Sequence, residues 1–167
     1  MTIVGIDPGL ATVGFGVIRY FKGKFTTLDY GTLTTKPNQP VSVRLEQVYS
    51  QANELLSKYR PDAVAIEELF FNTNVTTGIA VAQARGVLLL AAVKLGIEIY
   101  EYTPLQVKQA VVGYGRAEKK QVMELTRMLL RLDKIPRPDD AADALAIAVC
   151  HAHCSGSLYG DKQELRA

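Results

Sequence analysis

The chain has 167 residues, 48% of them hydrophobic and 22% charged, with no Trp and a net charge of +2, which suits one soluble domain and leaves no room for two large lobes. Its longest apolar run, Gly86 to Val93, stops at Lys94, well short of a membrane span, and the first apolar run carries Asp7 and so is no secretory signal. Two Cys give no disulfide framework and point to a reducing cytoplasm.

Ile3-Val4-Gly5-Ile6 has no polar alternation and reads as a central strand buried on both faces, ending in Asp7. Pro8-Gly9 breaks it, because Pro lacks a ladder donor and Gly permits a tight reversal. From Thr12 the chain alternates, with Val13, Phe15 and Val17 on one face and Gly14, Gly16 and Ile18 on the other. Gly inside a strand marks a place where a ligand or another backbone comes close. Lys22-Gly23-Lys24 is a turn, and Phe25 to Thr35 is a third strand, so three antiparallel strands open the fold. After a Pro-containing loop, Leu45, Val48, Ala52, Leu55 and Leu56 recur at helical spacing, and Arg60-Pro61 ends that helix. Asp62 to Glu67 is a short apolar strand that again ends in an acid.

Asn74 can cap a long helix over Val75 to Lys94, closed by Gly96. Its Gly78, Ala80, Ala82, Ala84 and Gly86 permit close approach of the sheet or of a second subunit. Ile97 to Tyr102 is a fifth strand, and Thr103-Pro104 caps and starts a short helix to about Val112. Gly113-Tyr114-Gly115 is a link, and Glu118 to Leu130 is an amphipathic helix. Pro136 and Pro138 precede a last helix from Asp139 to about Cys154, and residues 155–167 are expected to fray as a flexible tail after a single domain over 1–154. The order predicts an α/β fold built on a mixed five-stranded sheet flanked by helices.

The acids fall at telling places. Asp7 and Glu67 each end an apolar strand, and if those strands are parallel neighbours both carboxylates emerge at one sheet edge, where open α/β sheets take their ligands. Asp140 and Asp143 share a face of the last helix. Capping explains Asp139 but not Asp143, which lies past the first turn amid Ala, Leu and Ile. Four converging carboxylates raise one another's pKa unless cations lie between them, and hard oxygen ligands suit Mg²⁺ or Mn²⁺. Two such ions about 3.5–4 Å apart form a clamp for in-line attack on a phosphodiester. Charge is distributed to match. Residues 104–138 hold eight basic and three acidic side chains, and residues 139–167 two basic and five acidic. A basic segment beside an acidic cluster suits a polyanion held against metal-binding carboxylates, although a solvated helix face has the same composition.

GIDPG at 5–9, AIEELFF at 65–71, QARG at 83–86, QVKQAVVGYGRAEKKQV at 106–122 and DDAADALAIAVCHAH at 139–153 together resemble the RuvC-type Holliday junction resolvases. The resemblance implies a ribonuclease H-like fold and a homodimer that binds four-way DNA junctions. It also implies Mg²⁺-dependent, structure-selective endonuclease activity in recombination and repair, with two ions per subunit and Mn²⁺ as a substitute, and a branch-migration motor complex as a further partner. It places the catalytic, metal-binding acids on Asp7, Glu67, Asp140 and Asp143, and DNA contacts on Lys108, Lys119 and Phe70. Without it, each lysine reads as an ordinary surface residue, and Phe70 and Phe71 as stacking or core aromatics.

Two rival classes remain to be weighed. An actin-like or sugar-kinase phosphotransferase also places Asp-x-Gly after an apolar strand, but needs a second lobe with its own loop. A non-catalytic DNA-binding module would have no use for four acids. Cys150-His151-Ala152-His153-Cys154 resembles a zinc cluster, yet four ligands on barely one helical turn cannot all face one ion.

Overall fold

A computed structural model describes residues 1–69 and 75–164. Three antiparallel strands, β1 (Thr2–Asp7), β2 (Thr12–Phe21) and β3 (Lys24–Thr34), are followed by α1 (Val41–Tyr59), β4 (Ala63–Glu67), α2 (Val75–Lys94) and β5 (Glu98–Tyr102). Three helices complete the order: α3 (Pro104–Val112), α4 (Lys119–Leu129) and α5 (Asp139–Glu164). The strands form one mixed sheet in the order β3-β2-β1-β4-β5. β1 pairs antiparallel with β2 and parallel with β4, and β4 pairs parallel with β5. This is the sheet the element order predicts.

Local chemistry sets most boundaries. Arg60 ends α1 in the left-handed region, its N–H donating to Leu56 O at 2.8 Å, and Pro61 prevents continuation. Thr103 and Gln106 form a reciprocal capping box at the start of α3, with Pro104 in the first turn and left-handed Gly113 at its end. The expected Asn74 cap lies outside the described residues.

The sheet is covered on both faces. Val4, Ile6, Val13, Phe15, Val17, Val64 and Ile66 pack under α1 and α2, against Val48, Leu56, Leu88 and Ala91. Ile3, Ile18 and Ala65 face the other way, against α3, α4 and α5.

α5 lies close enough to the sheet that side chains would not fit between them. A Cβ on Gly5 would stand 2.0 Å from Ala144 O, one on Gly14 2.0 Å from Asp140 O, and one on Gly16 2.7 Å from the Leu145 side chain. Gly5 is the register partner of Gly16, and Asp7 of Gly14. The strand glycines therefore form a trough, and what approaches them is the backbone of α5 rather than a ligand.

α5 also runs ten residues further than expected, to Glu164, so the backbone of 155–164 is helical where fraying was expected. The helix is largely buried from Ala141 to Ala152, with Ser155 buried again one turn on, and once nucleated it extends at the cost of propagation alone. Gly156 and Gly160 weaken it without stopping it.

Candidate active site

Asp7 and Glu67 sit one residue beyond Ile6 and Ile66, the last pair between β1 and β4. Period-2 alternation puts both on the face that α5 covers, because Ile6 and Ile66 point to the α1–α2 side. The glycine trough seats the first turns of α5 beside them. Asp7, Glu67 and Asp143 line one cavity of about 270 Å³, together with Pro104, Val107, Lys108, Lys119 and Ile147. Asp140 is not in that lining. It lies over Gly14 and acts on Asp7 and Asp143 through its charge.

The acids are strained by burial and by one another. Desolvation, then the charges of Glu67, Asp143 and Asp140, push Asp7 up to about 7, with Lys119 opposing. Glu67 is raised by burial and by Asp143. Asp143 is raised by burial, while a hydrogen bond from Lys119 pulls it back. Lys119 Nζ donates to Asp143 Oδ2 at 2.8 Å and lies 3.7 Å from Asp139 Oδ2, and this pairing raises its own pKa. Asp139 also pairs with Arg137.

Among the described residues, no three acid, His or Cys side chains are drawn together tightly enough to hold an ion as they stand. The carboxylates instead ring the cavity, and an ammonium rests against one of them. Oxygen donors alone, mutually repelling and partly desolvated, are a donor set that fits a hard divalent cation.

Both sequence-predicted lysines reach this cavity, Lys108 from α3 and Lys119 from the first turn of α4. Phe70 and Phe71 lie outside the described residues. The Cys-His segment is packed into the fold. His151 Nδ1 meets the Tyr102 hydroxyl at 2.7 Å in the core, and His153 Nδ1 meets Ala110 O at 2.8 Å. Sequence reasoning gave no role to Arg85, although the QARG motif contains it; its Nε donates to Glu67 O at 3.1 Å.

The family pattern described as "Crossover junction endodeoxyribonuclease RuvC" matches residues 3–151. The chain belongs to the RuvC family. A RuvC of Alkaliphilus metalliredigens is 60% identical over 153 residues, covering 92% of this chain and 93% of that one. One of Ruminiclostridium cellulolyticum is 54% identical over 163 residues, covering 96% and 98%. The solved RuvC of Thermus thermophilus in complex with Holliday junction substrate is 39% identical, with a TM-score of 0.88 over 93% of this chain and 94% of that one. The fold is the ribonuclease H-like one the motifs implied, and RuvC membership makes the chain an endodeoxyribonuclease, which hydrolyses phosphodiester bonds.

Proposed function

We propose that this RuvC-family chain resolves Holliday junctions by paired nicks in recombination and repair. In this reading Asp7, Glu67, Asp140 and Asp143 hold Mg²⁺, two ions per subunit, with Mn²⁺ able to substitute. The observation that carries the reading is the ring of Asp7, Glu67 and Asp143 around one cavity with two lysines on its rim. Ions held there by these carboxylates would supply activation of a water for in-line attack and charge stabilisation for the leaving oxygen. Lys108 and Lys119 hold phosphate oxygens of the strand to be cut, which aligns the scissile bond with the acids. Lys119 can exchange Asp143 for a phosphate as DNA arrives, because its side chain is 56% exposed. Phe70 keeps the base-stacking role at the crossover that the resemblance implies.

Two cuts in one junction need two sites, and a C2 homodimer supplies them. α2 is the face we assign to the second copy. Ile79, Gly86, Leu90 and Val93 recur along one side at heptad-like spacing, and Ile79, Leu90 and Val93 are 53%, 53% and 62% exposed. A branch-migration motor complex is the further partner that the reading implies. Cytoplasmic location fits the two free cysteines, Cys150 and Cys154. Among the described residues, no helix is long and apolar enough to cross a membrane.

The test compares a four-way junction with linear duplex of the same sequence, in Mg²⁺ and in chelator. Cleavage is expected only of the junction and only with Mg²⁺. Asp7→Asn and Glu67→Gln should abolish it while junction binding persists, since binding rests on phosphates and shape. Comparable nicking by Asp7→Asn and wild type would overturn the metal assignment.

A further inference from the structure

QARG is a motif of the family resemblance for which the chemistry above has no use. Its Arg85 projects from α2, on the face of the sheet opposite α5, and its side chain is only 15% exposed. Nε donates to the backbone carbonyl of Glu67 at 3.1 Å, while Nη2 pairs with the Glu101 carboxylate. Glu101 is the register partner of Ile66, the residue before Glu67. The neighbouring N–H is held as well, because Glu68 N donates to Tyr102 O at 2.9 Å.

The peptide unit between Glu67 and Glu68 is thus gripped at both ends, its oxygen by a guanidinium and its N–H by β5. This is the last peptide of β4, beyond which no further strand pairing restrains the chain. Fixing it fixes the ψ of Glu67, and with it the direction in which the carboxylate leaves the sheet on the other face. A guanidinium can do this because it offers several donors in a rigid fork, one for the carbonyl and another for Glu101.

We propose that Arg85 is a positioning residue, aiming the Glu67 carboxylate into the active-site cavity by holding the Glu67 carbonyl from behind. The proposal rests on the reading of Glu67 as a metal-holding acid. Groups that orient metal-holding side chains in this way typically change metal affinity or activity by about 10–100-fold when altered.

The test uses the full chain with Arg85→Lys, Arg85→Glu and the charge swap Arg85→Glu/Glu101→Arg. Lys keeps the pair with Glu101 but has no second fixed donor. Four quantities are measured: melting temperature, its shift on adding Ca²⁺, junction binding in Ca²⁺, and single-turnover cleavage of a four-way junction across a Mg²⁺ series. Arg85→Lys should bind the junction within about twofold of wild type, yet cleave roughly 10–100-fold more slowly and need more Mg²⁺ for half-maximal rate. Its Ca²⁺-induced shift should also be smaller. The swap should recover the melting temperature lost in Arg85→Glu but not the rate, because the Glu67 carbonyl still lacks its donor. Wild-type rate and Mg²⁺ dependence in Arg85→Lys, or recovery of both in the swap, would reduce Arg85 to an ion-pair strut. Glu67→Gln in the same series separates the two failures. Retained Mg²⁺-dependent cleavage there would overturn the metal reading itself, whatever Arg85 does.

Discussion

Asp7 releases its proton near pH 3.9 in an unfolded chain and, without metal, at about 7 in this fold, because it is desolvated among three other acids. The folded state therefore holds a proton that the unfolded state has lost between those values. Its stability is full below about pH 4 and declines as pH rises through 7, by up to about 4 kcal/mol from this group. In chelator at pH 8, Asp7→Asn should melt at or above wild type, and the gap should close toward pH 4. Glu67 and Asp143, also raised, should leave a smaller slope of the same sign in the variant. Thermal melts across that range decide it; an unchanged pH slope in Asp7→Asn would locate the strain elsewhere. Added Mg²⁺ should stabilise wild type more than Asp7→Asn, because binding to the folded state alone shifts the equilibrium toward it. The lysines can be ranked in the same way. Lys108→Ala and Lys119→Ala should slow cleavage more than Lys22→Ala, whose ammonium lies over the Phe21 ring in the β2–β3 turn. Equal losses in a cleavage assay would misplace the DNA-facing side.

Among the elements, α5 matters most to the site, because it brings two acids to a sheet that already carries two. It can do so only over Gly5, Gly14 and Gly16, where a methyl group would meet α5 backbone or the Leu145 side chain at contact distances no relaxed structure tolerates. Gly14→Ala and Gly5→Ala should therefore destabilise by roughly 1–3 kcal/mol or more, as overpacked cores do. Gly14→Ala should in addition cut activity in the fraction that stays folded, since the added methyl presses on Asp140 opposite Asp7. Gly31→Ala is the comparison, for there the new Cβ meets only the rim of the Phe15 ring at 3.2 Å. Chemical denaturation of the three variants should rank it mildest.

For the whole molecule, the proposed pair of identical subunits would match the symmetry of a four-way junction. With α2 as the shared face, Leu90→Asp together with Val93→Asp should yield monomers by light scattering without unfolding the chain, since both side chains are exposed. A supercoiled plasmid that extrudes a cruciform reports whether the two sites act together. Two cuts within one complex lifetime give linear DNA, whereas a single cut releases the torsion and leaves a nicked circle. The wild type should give linear product, and a mixed dimer with one Asp7→Asn subunit only nicked circle. Nicked circle as the main wild-type product would mean that the sites do not work as a pair.

The sequence by itself determined the strands, the ends of α3 and the position of Asp7 and Glu67 at the ends of two apolar strands, because these depend on period-2 patterning and on turn residues a few positions apart. The Thr103 cap and the Gly113 stop are local in this sense, and the structure has both. The order βββ-α-β-α-β was enough to predict a mixed five-stranded sheet, since short connections and crossovers leave few arrangements, but that β1 lies parallel beside β4 is decided by the folded sheet. Where α5 ends was less legible, because the glycines at 156 and 160 argue for a stop while the buried stretch before them keeps the helix going. What approaches Gly14 and Gly16 could be narrowed only to a ligand or a backbone, because a missing side chain does not say what fills its place. Arg85 and Glu101 are 16 residues apart and the guanidinium is 18 residues from the carbonyl it holds, a contact that exists only once α2 has folded back over β4 and β5. The histidines of the CHAHC stretch found their partners in the same way, Tyr102 being 49 residues and Ala110 43 residues distant. Periodicity carries information about which face a residue takes, and hydrogen bonds across such distances depend on which elements the hydrophobic core brings together.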